Sequence, residues 1–435
     1  MIDRLIRYLR MTGQCSSAEL ADFLSVSVST VSRHLTKLID DGKVVRLGQG
    51  KNIRYIYLRA VKEITQPVMV RQVDENAVIH QLGKLWIIEN GSVLEMDDDI
   101  VAYDDLPWFF YDLKPQGFIG RLIGKRVAPN LQVSPRVDTW SGDDVLRYLV
   151  LEPNSTPGNF ELYKDFDILR TIKSSVPSRE RILERYEAHL TKPMFTEFEE
   201  AGGSSAGGEQ PKFNAFIGTS KIVKYSQPLN VNNANAERVK DLLICEHHAL
   251  SVLFEYNGYA AKTEVFVTEQ RAYLEVTRFD RTIVGREEGQ IGMVSLESVI
   301  AEFIGYVENW SDAADKLLAQ EIIKPDQAEL LKLWLSYSRL IGNTDTHNGN
   351  VSLFLEGITP SRLTPAYDIL PMAYMPNNAD IPTPKVKIVR PNNVSDEIWQ
   401  QAKLLACNFW QRVADDSRVS DSFKAIANDW LKAIL

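Results

Sequence analysis

One stretch limits the possible folds more than any other. Apolar residues recur at helical spacing through Leu330, Leu333, Trp334, Tyr337, Leu340 and Ile341, and Gly342 stops the helix. A polar loop follows, Asn343-Thr344-Asp345-Thr346-His347-Asn348-Gly349-Asn350, and then the strand Val351-Ser352-Leu353-Phe354. A second acidic residue, Asp368, comes eighteen residues past Asn350, between the apolar residues of Ala366-Tyr367-Asp368-Ile369-Leu370. A buried helix thus delivers an Asp and an Asn into one loop, and a hairpin returns another Asp. That order places three polar side chains close together in the chain's folded path.

Elsewhere the chain reads as globular, with 44% hydrophobic and 25% charged residues, which excludes a mostly disordered or fibrous protein. No run approaches eighteen uninterrupted apolar residues, so no transmembrane helix is expected. Asp3 and three arginines within the first ten residues argue against a signal peptide. Cys15, Cys245 and Cys407 are too far apart for a disulfide framework or a metal spacing, which points to a reducing cytoplasm. With 435 residues, several domains are expected.

The net charge of −9 hides an asymmetry: residues 1–62 hold eleven Lys/Arg against five Asp/Glu, or +6, leaving −15 on the rest. A polyanion would be held at the N-terminus. The pattern there predicts a helix on Leu5, Ile6 and Leu9. A second helix, N-capped by Ser17, runs through Leu20, Ala21 and Leu24, and a third is spaced by Val31, Leu35 and Leu38. Strands at 44–47 and 53–57 complete a hairpin. This order resembles a winged helix-turn-helix domain. The resemblance implies DNA binding, with Ser29, Thr30, Ser32 and Arg33 facing base edges and Arg46, Lys51 and Arg54 facing phosphates.

The middle of the chain is mixed. Strands are expected near 78–88 and 91–96, helices near 143–149 and 178–190, and the aromatic run Trp108-Phe109-Phe110-Tyr111 is read as core or interdomain contact. Beyond it, a glycine-rich loop (Gly202, Gly203, Gly207, Gly208) permits close approach of backbone N–H groups to an anion, without the Walker spacing. The strand Lys221-Ile222-Val223-Lys224-Tyr225 places Lys224 to reach phosphates, and Glu246 on the next helix is its expected ion-pair partner. The strand entering Thr277-Arg278-Phe279-Asp280-Arg281 reads as a hinge between lobes.

Ordered this way, the set follows the logic of kinase active sites, where one Asp orients the attacking hydroxyl while an Asn and a second Asp hold Mg²⁺. The segments 205–212, 278–281, 345–350 and 363–368 resemble the HipA family of bacterial toxin serine/threonine kinases; with the winged helix in front, the chain resembles the HipH (YjjJ) branch. That resemblance implies an α+β architecture: a winged helix over 1–65, a β-rich subdomain and kinase N-lobe over 66–276, and a helical C-lobe over 277–435. It implies ATP and Mg²⁺ as cofactors. Asp345 becomes the catalytic base, and Asn350 and Asp368 the metal ligands. Lys224, His347, Gly207 and Gly208 lie by the ATP phosphates, Thr277 and Phe279 at the adenine, and Asp280 at the ribose. Ser204 or Ser205 becomes the site of autophosphorylation, although the loop is one residue longer than the family pattern, and Thr277 stands where the family carries an acidic residue. Expected partners are a protein substrate such as an aminoacyl-tRNA synthetase, DNA, a HipB-like antitoxin and a second copy of the chain. Two rival readings stay open: a DNA-binding regulator whose kinase fold senses nucleotide without transfer, and a Mg²⁺-dependent nuclease.

Overall fold

In the N-terminal sixty residues, apolar side chains are too few for more than one small core, and three short helices build it. A computed structural model of the chain describes residues 1–97, 99–152, 156–163, 178–191, 210–231, 233–377 and 380–435. The helices are α1 (Ile2–Thr12), α2 (Ser17–Leu24) and α3 (Val28–Asp40); the strands β1 (Gln14–Cys15), β2 (Val44–Leu47) and β3 (Arg54–Tyr57) pair antiparallel in the order β1-β3-β2. Leu5, Leu9, Leu20, Leu24, Val31, Leu35 and Leu38 interlock beneath them. The cap of α2 is Ser16 and not the expected Ser17: Ser16 accepts from the Glu19 N–H while the Glu19 carboxylate accepts from the Ser16 N–H. The reciprocal box satisfies two otherwise orphaned donors, which a cap at Ser17 would not.

A five-stranded antiparallel sheet comes next, ordered β7-β6-β5-β4-β8 from β4 (Val68–Val73), β5 (Ile79–Ile88), β6 (Gly91–Glu95), β7 (Ile100–Tyr103) and β8 (Phe160–Tyr163). Helix α4 (Gly117–Leu131) packs on α5 (Gly142–Leu151), which packs on β8. Sequence reading does not find α4, because it holds Gly117, Gly120, Gly124 and Pro129. The glycines serve packing: a Cβ at Gly120 would lie 2.7 Å from the Pro115 backbone, and one at Gly124 2.4 Å from the Pro135 carbonyl. Phe109 and Phe110 of the aromatic run are buried against Phe160.

The head is docked, not tethered. Leu47 and Ile56 of the wing pack on Ile88 and Val93 of the sheet. Arg59 then grips Asp143 through two 2.7 Å hydrogen bonds and donates to the Ile88 carbonyl at 3.1 Å.

Helix α6 (Arg179–Thr191) precedes a four-stranded antiparallel sheet, ordered β11-β12-β10-β9 from β9 (Lys212–Ile217), β10 (Thr219–Tyr225), β11 (Thr263–Val267) and β12 (Ala272–Thr277), with α7 (Ala234–Asn257) crossing it. Strand alternation gives this sheet two faces. Phe213, Val223 and Tyr273 pack outward on Ile182 and Tyr186 of α6, while Ile222 and Lys224 face a cleft. The hairpin β13 (Arg281–Val284) and β14 (Glu287–Gln290) leads to a helical lobe: β15 (Met293–Ser295), α8 (Leu296–Val299), α9 (Trp310–Ala319), α10 (Pro325–Leu340), β16 (Ser352–Glu356), β17 (Thr359–Leu363), α11 (Asp396–Asp415) and α12 (Asp421–Ile434). Its core is pinned by Trp410, which donates to the Leu340 carbonyl at 3.0 Å and stacks on Trp430 at 5.5 Å; Trp430 donates to the Tyr374 hydroxyl at 2.8 Å.

Truncating the docking surface should loosen the head while leaving its own core intact. Ile88→Ala is expected to weaken the interface by about 2–4 kcal/mol. The denaturation curve, followed by Trp86 fluorescence, should then split into two transitions; a single transition at an unchanged midpoint would show that the head does not depend on this contact.

Candidate functional site

Between the second sheet and the helical lobe lies a cleft enclosing about 1190 Å³, its mouth included. Strand β10 projects Lys224 into it, α7 supplies Glu246 from above, and the segment after β17 supplies Asp368 from below. The Lys224 ammonium lies 2.6 and 2.8 Å from the two Glu246 oxygens and 2.6 Å from Asp368 Oδ1. Burial pulls the lysine pKa down, but Asp368 and Glu246 outweigh it and raise it, so Lys224 stays charged. Burial pushes the Glu246 carboxyl up to about 7 against the pull of Lys224. For Asp368, burial is overcome by Lys224 and Lys212, which hold its carboxyl below the usual range. Lys212 sits opposite Lys224 in the β9–β10 register and lines the same cleft.

Asp368 has φ +56°, a left-handed conformation that Asp tolerates better than most residues but that still costs energy. Its neighbours hold it there. Ile369 and Leu370 are buried, and the Tyr367 hydroxyl meets the Ser352 hydroxyl at 2.8 Å and the Gly349 carbonyl at 3.1 Å. The loop from α10 is fixed just as closely. Asn343 accepts from the Asp345 N–H at 3.0 Å, and Asn350 donates to the Asp345 carbonyl at 2.9 Å. His347 Nδ1 accepts from the Gly349 N–H at 3.0 Å, while the Trp310 indole donates to the His347 carbonyl at 3.2 Å. Asn350 and His347 line the cleft; Asp345, half-exposed, is not among its lining residues but adjoins them, with His347 Nε2 3.7 Å away.

The sequence-expected residues Lys224, Glu246, Thr277, Phe279, Asp280, His347, Asn350 and Asp368 therefore share one cleft. At two of them the structure shows bonds already made within the chain. The Thr277 N–H already donates to the Lys262 carbonyl at 2.8 Å, so it cannot also serve a base. Asp280 has both oxygens engaged: Arg278 binds them at 2.9 and 2.7 Å, Arg281 at 2.8 Å, and the Gly158 N–H at 3.1 Å. Despite burial, the arginines hold the Asp280 carboxyl well below the usual range. The carboxylate thus closes an internal lock, while among the described residues Oδ1 accepts only the Arg278 bond and Asp280 still lines the cleft. Ser204, Ser205, Gly207 and Gly208 lie outside the described residues.

Sequence reading missed Lys212, Asp112, Gln116, Pro157 and Glu297, all of which line the cleft. The lysine was legible, since a tight turn at Gly218 fixes the hairpin register that puts it opposite Lys224. Asp112 was not: it arrives from the first sheet domain to accept from the Ser295 N–H at 2.6 Å and the Ser298 hydroxyl at 3.1 Å, and burial raises its pKa.

In the head, Ser29, Ser32 and Arg33 are exposed on α3, and Arg46 is exposed on β2. Thr30 is half-buried, its hydroxyl 2.9 Å from the capping Ser27 hydroxyl, and Arg54 folds back to the Ile53 carbonyl at 3.3 Å. Of Lys51 only the backbone, in the turn at Gly50–Asn52, is described.

Two carboxylates sharing one buried ammonium make a pH prediction. The folded Glu246 pKa of about 7 lies above its ordinary 4.5, so between those values the folded chain binds more protons than the unfolded one. Stability from this group is present below pH 4.5 and is lost as pH rises toward 7. Glu246→Gln should flatten that fall in melting temperature across the window; an unaltered slope would place the titration elsewhere.

Three family models match the chain: a winged helix-turn-helix DNA-binding model over residues 3–45, a YjjJ-like toxin middle-domain model over 64–165, and a HipA-like C-terminal domain model over 204–434. Toxin YjjJ of Escherichia coli (strain K12) is 33% identical over 434 residues, covering 97% of this chain and 95% of that protein. In fold, the chain is similar to one from the Shewanella oneidensis MR-1 toxin–antitoxin complex of HipA, HipB and operator DNA, with a TM-score of 0.52 at 15% identity, over 84% of this chain and 96% of that one. The two-lobed cleft, the sheet domain before it and the winged helix at its front thus place the chain in the HipA-like toxin family, in its YjjJ-like branch.

Proposed function

We propose that the chain is an ATP- and Mg²⁺-dependent protein serine/threonine kinase of HipA toxin type, growth-inhibiting when unrestrained and able to bind DNA through its own head. The observation that carries this reading is the Lys224 ammonium held between Glu246 and Asp368, with Asn350 and Asp345 on the adjoining loop. The arrangement leaves one net negative charge buried beside a cation. With its amide nitrogen engaged by Asp345, Asn350 has a carbonyl oxygen to offer; Asp368 has a carboxylate held ionised. Two hard oxygen donors suit Mg²⁺, which takes its remaining ligands from phosphate and water. Bound there, the metal would supply charge neutralisation at the transferring phosphoryl group.

The chain's own residues account for the rest. Lys224 and Lys212 set positive charge along one wall, where ATP phosphates would be drawn. Asp345, half-exposed next to the cleft-lining His347, would meet a hydroxyl presented by another protein, orient it and accept its proton. His347, tied to Gly349 and backed by Trp310, keeps that loop in register. We extend the reading to the loop serines 204 and 205 as sites of autophosphorylation, where a phosphate of about −1.5 to −2 charges would repel nucleotide. The relative solved with HipB and operator DNA supports DNA and a HipB-like antitoxin as partners. The exposed Ser29, Ser32 and Arg33 on α3 give this chain a surface with which to read bases.

Incubated with labelled ATP and Mg²⁺, the wild-type chain should transfer phosphate to protein, including a site within residues 202–212. Asp345→Ala should lower transfer by at least about 10²-fold while ATP affinity stays nearly intact; unchanged transfer would overturn the assignment of this residue. For the head, Arg33→Ala should cost about 1–3 kcal/mol on a duplex selected by the wild type from a random pool. It should cost far less on random duplex, whereas equal losses on both would make Arg33 a phosphate contact.

A further inference from the structure

The lock around Asp280 reaches across a domain boundary. Arg281 donates from Nη1 to the Gly158 carbonyl at 2.8 Å and from Nη2 to the Thr156 carbonyl, which Arg278 also approaches at 3.4 Å. The Gly158 N–H returns to Asp280 at 3.1 Å. Four interactions from a hinge motif thus hold loop 156–159, which belongs to the first sheet domain and runs into β8. Gly158 has φ +71°, and a Cβ there would lie 2.9 Å from the Met293 carbonyl, so the loop presses on the far lip of the cleft as well. Its next-door residue, Pro157, lines the cavity.

The cavity has two chemically different ends. Lys224 lies opposite Leu274 in the strand register, three residues before Thr277 and the hinge, a separation of about 10 Å along an extended strand. At the Lys224 end the wall is polar, carrying two ammonium groups, two carboxylates and the Asn350 amide. Toward the hinge it is apolar, formed by Pro157, Phe279, Met293, Val276, Ile222 and Val294. Phe279 is itself steadied by Tyr367 at 5.7 Å and Phe354 at 6.1 Å. That polarity matches a nucleotide with its phosphates at the lysines and its base in the apolar slot.

We infer that loop 156–159 of the first sheet domain is the wall on which the purine rests, with Pro157 touching the base and Arg278, Asp280 and Arg281 acting as positioning residues. The inference rests on the kinase reading and adds to it: the sheet domain is part of the nucleotide site. Base discrimination then depends on a segment that lies outside the match to the HipA-like C-terminal domain.

Affinities of the full chain for a non-hydrolysable ATP analogue and for CTP, both with Mg²⁺, test this by calorimetry. Pro157→Gly removes the wall and leaves the lock. Gly158→Ala drives the loop off Met293 and leaves every phosphate-end residue untouched. Each should lower the preference for the ATP analogue over CTP by about tenfold, with CTP affinity unchanged. An unchanged preference, or equal loss for both nucleotides, would overturn the inference while leaving the kinase reading standing. A wild-type chain that binds neither nucleotide would overturn the kinase reading and the inference together.

Discussion

The cleft is organised around one ammonium group. Lys224 is buried, and a buried cation is tolerated only with partners at contact distance. Its partners come from a helix and from the opposite lobe, so the single ion pair network aligns β10, α7 and the segment after β17. Removing Lys224 would leave two buried carboxylates uncompensated, a penalty larger than the net worth of the pairs. The positive φ of Asp368 belongs to the same economy: a strained residue persists where its surroundings over-determine it, and here Tyr367, Ser352 and Gly349 do so.

Around that network the three units of the chain are packed on one another. The wing rests on the first sheet through Leu47, Ile56, Ile88 and Val93, and that sheet reaches the hinge through loop 156–159. Asp112 caps the start of α8 from the same domain. A head docked on apolar surface differs physically from one on a linker, because taking it away uncovers Ile88 and Val93.

Much of this was legible where function and local pattern coincide. The residues of the loop from Asp345 to Asn350 and Asp368 could be placed because a helix, a glycine stop and a hairpin fix their order along the chain. The winged helix could be placed because three apolar repeats and two strand signals lie within sixty residues. What escaped depends on contacts distant in sequence. The arginines beside Asp280 are local to its motif, but the tie of that carboxylate to the Gly158 N–H comes from a loop 122 positions earlier. The helix α4 is hidden because its glycines answer to the close approach of Pro115 and Pro135, not to helix propensity. Ser16 is a different case: Ser16 with Glu19 spells a capping box, and the signal was there to be used.

The central claim is that the cleft holds ATP through Lys224 and through a divalent cation at Asn350 and Asp368. Titration of the full chain with a non-hydrolysable ATP analogue, with and without Mg²⁺, and again with Asp368→Asn, measures it most directly. The account predicts saturable binding that is strengthened by Mg²⁺ in the wild type, with the Mg²⁺ effect gone in the variant. Binding that ignores Mg²⁺, or a Mg²⁺ effect that survives Asp368→Asn, would contradict it.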